Sequence, residues 1–274
     1  MTSHDVVVGV DGSLVAVRAL DWAADEAVRR GTALRVVYAV PDRDEAGPIL
    51  ASAAAQVHER HPRLPVVTAT AEGNAVRALV RASDGAALTV VGTRGFGGVT
   101  GLLFGSVSQR LAAHVHSPLL VVRGDHPCDG DVLLGLATDA DVDAAEYALQ
   151  EAERRGARLR VLHARTHRHI TPELPSLVPA TSPGQRQLAQ QDRAEEAVPR
   201  FTMAGLRERH PEVAIEVRTV RTGPAHALLE ATREASVVVI GTHRQTGWRG
   251  PRLGLVAHTL LHRSHCPVAV VPTG

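Results

Sequence analysis

The sequence repeats itself once, and this internal repeat constrains the possible folds more than any other feature. Equivalent segments follow one another in the same order and share their hydrophobic pattern. Four pairs of segments carry the repeat: Val6–Asp11 with Val132–Ala137, Arg29–Val37 with Arg154–Leu162, Val90–Arg94 with Val239–His243, and Ser117–Val122 with Cys266–Val271. Two copies in 274 residues predict two tandem domains of ordinary size, 1–124 and 129–274, joined by a short linker.

The second copy is longer than the first. Val132 follows Val6 by 126 positions, whereas Val239 follows Val90 by 149, so about 23 residues are inserted between these points. The insertion falls near 164–186, where Pro, Ser and Thr are frequent. This composition predicts a surface loop.

Each copy alternates short apolar segments with stretches of helical periodicity. The apolar segments are rich in valine, as buried parallel strands are. This order predicts an α/β fold of two tandem doubly wound, mainly parallel five-stranded sheets with Rossmann-like topology. The expected strands of the first copy are Asp5–Val10, Leu34–Val40, Val66–Thr70, Leu88–Gly92 and Pro118–Val122.

The first of the expected helices covers Leu14–Arg30. Its apolar side chains recur at helical spacing, and Gly31 follows as a stop signal. The residues that form this apolar face are Val17, Leu20, Ala24 and Val28.

Composition narrows the classes of function. The net charge is +1 and aromatic residues make up 3%, which disfavours nucleic acid and anionic membranes as partners. No segment approaches the ~18 apolar residues of a membrane span. Cys128 and Cys266 show no metal or disulfide spacing, and the 15 histidines show no zinc-ligand spacing. We therefore expect a cytoplasmic protein without a metal bound by its side chains.

A glycine-rich loop follows the fourth strand of the first copy. Gly92 ends the strand, Gly95 lies in the loop, and Gly105 and Ser106 open a helix expected over Ser106–His114. A helix start offers unpaired N–H groups and the positive end of the helix dipole, which suit phosphate oxygens. The loop lacks the lysine of a Walker-type phosphate loop, and no GxGxxG follows the first strand. Glycines that only form turns are therefore the alternative.

Two charged residues accompany this loop. Asp11 lies at the carboxyl end of the first strand, where doubly wound sheets bind their ligands. Its carboxylate can accept hydrogen bonds from ribose or adenine groups, or it can cap the following helix, and the sequence leaves both roles open. Arg94 is the basic residue inside the loop, with plain solvent exposure as its alternative role.

Together the first strand, the aspartate and the loop resemble the universal stress protein family in its tandem form. The nucleotide motif of that family is G-x2-G-x9-G followed by Ser or Thr, and Gly92, Gly95, Gly105 and Ser106 match it at every spacing. The segment VGVDGS at Val8–Ser13 matches the opening strand of the family. The likeness covers nearly the whole chain in two copies and lapses only in the insertion.

The resemblance implies that the first copy binds ATP, with Mg2+ held through the phosphates. It also implies that the last strands of the two copies pair inside the chain, which would make a pseudo-dimer and protect both edges. A homodimer of the fused chain stays open. The implied nucleotide contacts are Ser106, Val107 and Ser108 to the phosphates, Asp11 to the adenosine, and Val10 and Val40 to the adenine side.

The second copy has lost most of this pattern. Arg244 replaces the second glycine of the motif, Leu255 replaces its serine, and Ala137 stands where Asp11 stands in the first copy. We expect no family-type ATP site there. An anion site made by side-chain charge and a solvated surface loop are the two alternatives, since the loop is basic through His243, Arg244, Arg249 and Arg252.

Three functions fit these observations. The first is a regulatory or binding module of the stress response, whose ATP-bound state alters its contacts with an unidentified protein partner. The second is a weak ATPase or nucleotide transferase that uses the same pocket, and the third is a nucleotide-free scaffold in which the glycines are only architectural. We favour the first and assign no catalytic residue, because no Lys or Arg is fixed on the γ-phosphate.

Overall fold

The computed structural model describes residues 4–40, 46–93, 106–123, 130–164, 203–243, 245–247 and 250–273. A short 3-10 turn at Asp139–Asp141 lies directly before the helix that begins at Val142. The strands of these residues are β1 (Val6–Val10), β2 (Leu34–Val40), β3 (Val66–Glu72), β4 (Leu88–Gly92), β5 (Leu119–Val122), β6 (Asp131–Gly135), β7 (Leu159–Ala164), β8 (Ile215–Val220), β9 (Ala235–His243), β10 (Gln245–Gly247), β11 (Gly250–Arg252) and β12 (Val268–Thr273). The helices are α1 (Leu14–Arg30), α2 (Ala46–Arg60), α3 (Ala75–Ala82), α4 (Ser106–His114), α5 (Val142–Arg155), α6 (203–209), α7 (Pro224–Ala231) and α8 (Leu255–Arg263).

Ten of these strands form one continuous sheet in the order β3-β2-β1-β4-β5-β12-β9-β6-β7-β8. The strands within each half run parallel to one another. Counted outward from the centre of the sheet, both halves have the same strand order, so β12-β9-β6-β7-β8 corresponds to β5-β4-β1-β2-β3. The halves meet where β5 pairs antiparallel with β12, with Leu120 opposite Ala269. The expected α/β fold is therefore confirmed, and its two five-stranded sheets join edge to edge through their last strands.

The first helix shows how local sequence sets these elements. The Ser13 side chain accepts a hydrogen bond from the backbone N–H of Ala16, and Gly31 closes the helix in a left-handed conformation with φ of 62°. The expected bounds of α1 and α4 are confirmed, and the expected strands of the first copy agree with the observed ones within two residues at each end. Apart from Ala164, the expected insertion near 164–186 lies outside the described residues.

The buried face of α1 differs from the expected one. Val28 is 50% exposed, so its assignment to the apolar face was wrong. The buried face consists of small side chains and Leu20. Because protein interiors are close-packed, small side chains on this face let the helix lie close to the sheet. The small buried residues are Ala16, Ala19, Ala23, Ala24 and Ala27.

Two apolar layers sandwich the sheet. The side chains of α1, α2, α5 and α6 pack on one face, and those of α3, α4, α7 and α8 pack on the other. Leu149 and Leu206 belong to the first layer, whereas Leu111 and Leu260 belong to the second. Because the layers extend across both halves, the chain has shared cores on either side of one sheet.

A buried cluster of four charges joins α1 to α5. Arg155 donates to Glu26 with an Nη2–Oε1 distance of 2.6 Å, and Arg30 donates to Glu151 with an Nη2–Oε2 distance of 2.8 Å. Within the helices, Arg30 also contacts Glu26 at 3.2 Å and Arg155 contacts Glu151 at 2.6 Å. All four side chains are at most 9% exposed. Glu151 and Arg155 lie 125 positions after Glu26 and Arg30, so the repeat relates the two residues from α5 to the two from α1.

Two aromatic rings extend this cluster with the same symmetry. The Arg30 guanidinium lies 5.6 Å from the Tyr147 ring centroid, and that of Arg155 lies 5.4 Å from the Trp22 ring centroid. Burial and the neighbouring Glu151 raise the pKa of Glu26, although three arginines oppose that shift. Burial also pushes the pKa of Glu151 upward, but Arg155 and Arg30 outweigh it and leave this pKa below its usual value.

Removing one member of this cluster is predicted to destabilise the chain strongly. Glu26→Ala leaves buried guanidinium groups without their carboxylate, so the free energy of unfolding should fall by about 3–5 kcal/mol in urea denaturation. The control is Glu230→Ala, which breaks an exposed i,i+3 pair with Arg233 and should cost less than about 1 kcal/mol. If the two variants lost the same free energy of unfolding, the buried charge cluster would not stabilise the contact between α1 and α5.

Candidate functional site

The strand order of the first half reverses at β1, which lies between β2 and β4. In doubly wound sheets, ligands bind at the carboxyl ends of the strands beside such a reversal. Val10 is the buried last residue of β1, half-buried Asp11 follows it, and Gly92 is the last residue of β4. Val40 ends the neighbouring β2, and its side chain lies outside the described residues. The sheet thus gathers four of the expected site residues at one edge.

The turn between β1 and α1 is braced by two side chains. Asp11 Oδ1 accepts a hydrogen bond from the Ser13 backbone N–H at 3.0 Å, and Ser13 Oγ accepts one from Ala16 at 3.2 Å. Gly12 between them has φ of 80°, which a glycine adopts without strain. The capping role left open for Asp11 therefore belongs to Ser13, whereas Asp11 fixes the turn from the ligand side of the strand.

Gly92 has a packing reason to be glycine. A Cβ atom at this position would lie 2.7 Å from Val15 Cγ1 and 2.9 Å from the Val15 backbone oxygen. The missing side chain therefore lets the first turn of α1 approach the end of β4. This contact aligns the Asp11 turn with the strand from which the glycine loop departs.

The remaining expected contacts lie on α4 or in the loop before it. Ser106 is the first residue of α4, and its side chain lies outside the described residues. Val107 is half-buried against the apolar layer of that face, and Ser108 is 7% exposed. Arg94, Gly95 and Gly105 lie outside the described residues.

The same edge of the second half is built differently. Ala137 takes the place of Asp11, but the buried carboxylate of Asp141 accepts hydrogen bonds from the backbone N–H groups of Ala137 and Thr138, at 2.8 and 2.9 Å. The Thr138 side chain accepts in return from the turn, which completes a capping box. A Cβ at Gly241 would lie 2.5 Å from Asp141 Oδ1. A negative charge therefore occupies the first turn beside the end of β9.

The sequence reading missed Asp141, although the sequence carries its signal. Thr138 and Asp141 stand three positions apart before an apolar helix, which is the spacing of a capping box. The comparison of the two copies registered only the loss of the aspartate at Ala137. The carboxylate has moved from the strand end to the helix start.

Comparison with known proteins identifies the family of the chain. The model of the universal stress protein family matches residues 2–123 and again 131–272. The chain belongs to the universal stress protein family. Two similar relatives are universal stress proteins of Mycolicibacterium smegmatis, 31% identical over 98% of this chain and 97% of that protein, and of Mycobacterium tuberculosis H37Rv, 32% identical over 98% and 95%. A universal stress protein crystal structure from Archaeoglobus fulgidus covers 100% of both chains with a TM-score of 0.63 and 16% identity, so it bears on the fold alone.

The tandem character of this universal stress protein follows from the two matches. In the second copy of the motif, Leu255 is the first residue of α8 and is 77% exposed. Gly254 is the N-cap of this helix, so no side chain accepts a hydrogen bond from its first N–H groups. Arg244 and Arg249 lie outside the described residues, as do the side chains of His243 and Arg252, so the basic-loop alternative stays a prediction.

No described helix of this universal stress protein is long and apolar enough to cross a membrane. Within the same residues, no three His, Cys, Asp or Glu side chains converge as metal ligands would.

Gly92→Ala is predicted to destabilise the first half through the contact with Val15. Because backbone atoms are part of that contact, the free energy of unfolding should fall by about 1–3 kcal/mol in urea denaturation. Gly205→Ala in α6 is the matched control, since its Cβ meets nothing within 4 Å among the described residues, and it should not lower the free energy of unfolding. A Gly92→Ala chain that unfolds at the wild-type urea concentration would refute the packing role.

Proposed function

We propose that the first half of this universal stress protein binds ATP at the carboxyl edge of β1 and β4 and that the bound state regulates contacts with a protein partner. The observation that carries the proposal is the position of Asp11, half-buried at the reversal of strand order and beside the glycine that begins the family motif. The sequence holds two cysteines, Cys128 and Cys266, without a CxxC, which suits a reducing compartment, and we propose a cytoplasmic location.

The residues at this edge suit a nucleoside. A carboxylate accepts several hydrogen bonds, so the contact of Asp11 with Ser13 leaves it able to accept from ribose hydroxyls or an adenine amine. Val10 is 8% exposed and offers an apolar border to the base. Backbone N–H groups at the start of α4 would face the phosphates, with Ser106, Val107 and Ser108 as the contacts.

Metal chemistry at such a site would come with the nucleotide. ATP supplies the phosphate oxygens that hold Mg2+, an ion that keeps several waters and needs few protein ligands. The chain itself would orient the nucleotide through the Asp11 turn and through the helix start. Arg94 is the basic residue of the loop and is proposed as a further nucleotide contact.

In the second half, we propose that ATP is excluded. The buried Asp141 carboxylate already takes up the two amides of the turn after β6 and places a negative charge there. A polyphosphate brought to the same edge would meet like charge. The second half would instead serve as the built-in partner of the first.

Purified protein should release ATP on denaturation, and the chain with Asp11→Ala and Gly105→Val together should release none, as measured by mass spectrometry. The matched control is Gly254→Val, the equivalent glycine of the second half. A Cβ there meets nothing within 4 Å among the described residues, so this variant should leave the ATP content unchanged. Circular dichroism of each variant checks the fold. A double variant with wild-type ATP content would place the nucleotide elsewhere.

Incubation with ATP and Mg2+ separates a binding module from an enzyme. Intact ATP in stoichiometric amount after prolonged incubation agrees with the proposed module, whereas steady ADP release would indicate a weak ATPase. A protein that neither contains ATP nor takes it up would be a nucleotide-free scaffold.

A further inference from the structure

The second half contains a cavity of about 390 Å3 on the sheet face covered by α7. This volume lies within the range of about 300–1,000 Å3 that small-molecule sites occupy. The cavity spreads over the middle of β6 and over β7 and β8, away from the β1–β4 edge where ATP is proposed. The lining residues on which its chemistry depends are Arg160, Leu162, Arg218, Val220 and Ala227.

The register of β7 and β8 separates charged from apolar lining. Arg160 lies beside Glu216, Leu162 lies beside Arg218, and Val220 follows farther along β8. From Glu216 to Val220 the strand advances by about 13 Å. A ligand lying along β8 would therefore have its polar group near the arginines and its apolar body near Leu162, Val220 and Ala227.

The charges favour an anionic group over a cationic one. The Arg160 side chain is only 17% exposed, and its Nη1 donates at 3.3 Å to Glu234, which is itself 78% exposed. A guanidinium has five N–H donors in a planar fork, so Arg160 can bind a planar anion as well as this one oxygen. Arg218 lies two residues beyond Glu216 on β8 and contacts that glutamate through its Nε at 2.9 Å, and at 65% exposure it stands at the rim of the cavity.

The two glutamates of the lining are less suited to hold a ligand. Glu216 is 44% exposed and contacts Arg218, while Glu230 is 53% exposed and contacts Arg233. Water and salt screen such exposed charges more strongly than they screen the half-buried Arg160. The same screening weakens the exposed Arg218, so Arg160 carries most of the charge preference.

The first half does not repeat this arrangement. Since β2 and β3 pair in the same register as β7 and β8, Ala69 takes the place of Arg218 and Val67 takes that of Glu216. Arg35 takes the place of Arg160, but it pairs with Asp5 at 3.0 Å. The pair of arginines in the lining, Arg160 and Arg218, is thus specific to the second half.

We propose that this cavity binds a small amphipathic carboxylate. Its acid group meets Arg160, with Arg218 at the rim, and its hydrocarbon body lies on Leu162, Val220 and Ala227. Bidentate guanidinium–carboxylate contacts supply orientation, and burial of the hydrocarbon supplies affinity. The site is independent of the nucleotide edge, so it gives the second half a ligand of its own.

Titration calorimetry of the full chain with octanoate, octylamine and octanol tests the charge preference. Octanoate should bind with one site per chain, and the amine and the alcohol should bind at least about tenfold more weakly. Arg160→Gln should weaken octanoate by about tenfold or more, whereas Arg221→Gln, an exposed arginine outside the lining, should change nothing. Octylamine that binds as tightly as octanoate would overturn the proposal.

A second pair of variants tests the place of binding without removing a charge. Ala227→Leu extends a side chain into the cavity and should abolish octanoate binding while circular dichroism stays unchanged. Ala78→Leu makes the same change at the equivalent position of α3 in the first half and should leave octanoate binding intact. Full octanoate binding by the Ala227→Leu chain would place the ligand elsewhere and overturn the proposal.

Discussion

The buried charge cluster between α1 and α5 is the constraint on which the joined architecture depends. Glu26 and Arg155 meet across the pseudo-dyad, as do Arg30 and Glu151, with almost no access to water. Buried charges are tolerated only when they are paired in good geometry. A shift of one helix against the other would therefore leave these charges buried without their partners. An alanine-rich helix face alone would permit sliding. We infer that the cluster fixes the docking that the pairing of β5 with β12 begins.

The same helices carry the difference between the halves. At its start α1 is held by the Asp11 turn and by the close approach of Val15 to Gly92, whereas α5 begins with the buried carboxylate of Asp141. The far ends of both helices enter the symmetric cluster. The repeat is thus kept where it joins the halves and changed at the carboxyl ends of the strands.

How far the sequence predicts this structure depends on how local each feature is. The bounds of α1 were predictable because Ser13 and Gly31 act within one turn of the helix. The charge cluster was not foreseen, although the repeat aligns Glu26 with Glu151, because only packing shows that these positions face each other. The cavity under α7 likewise depends on how much of the sheet face this helix leaves uncovered. Neither the hydrophobic periodicity nor the motif spacing predicts that area.

The candidate site was predictable only in part. The strand order places Val10, Asp11 and Gly92 at one edge, as their positions at strand ends suggested. Family resemblance, rather than residue chemistry, supplied the adenine and phosphate contacts, and it also supplied the pairing of the last strands. Resemblance could not show that a carboxylate shifted by four positions in the second half, from Ala137 to Asp141, would occupy the turn.

The central claim is that two copies of one fold carry a single nucleotide site. Equilibrium dialysis of the nucleotide-stripped chain against ATP and Mg2+ tests this claim most directly. The account predicts saturation at one ATP per chain. Saturation at two, or no binding at millimolar ATP, would contradict it.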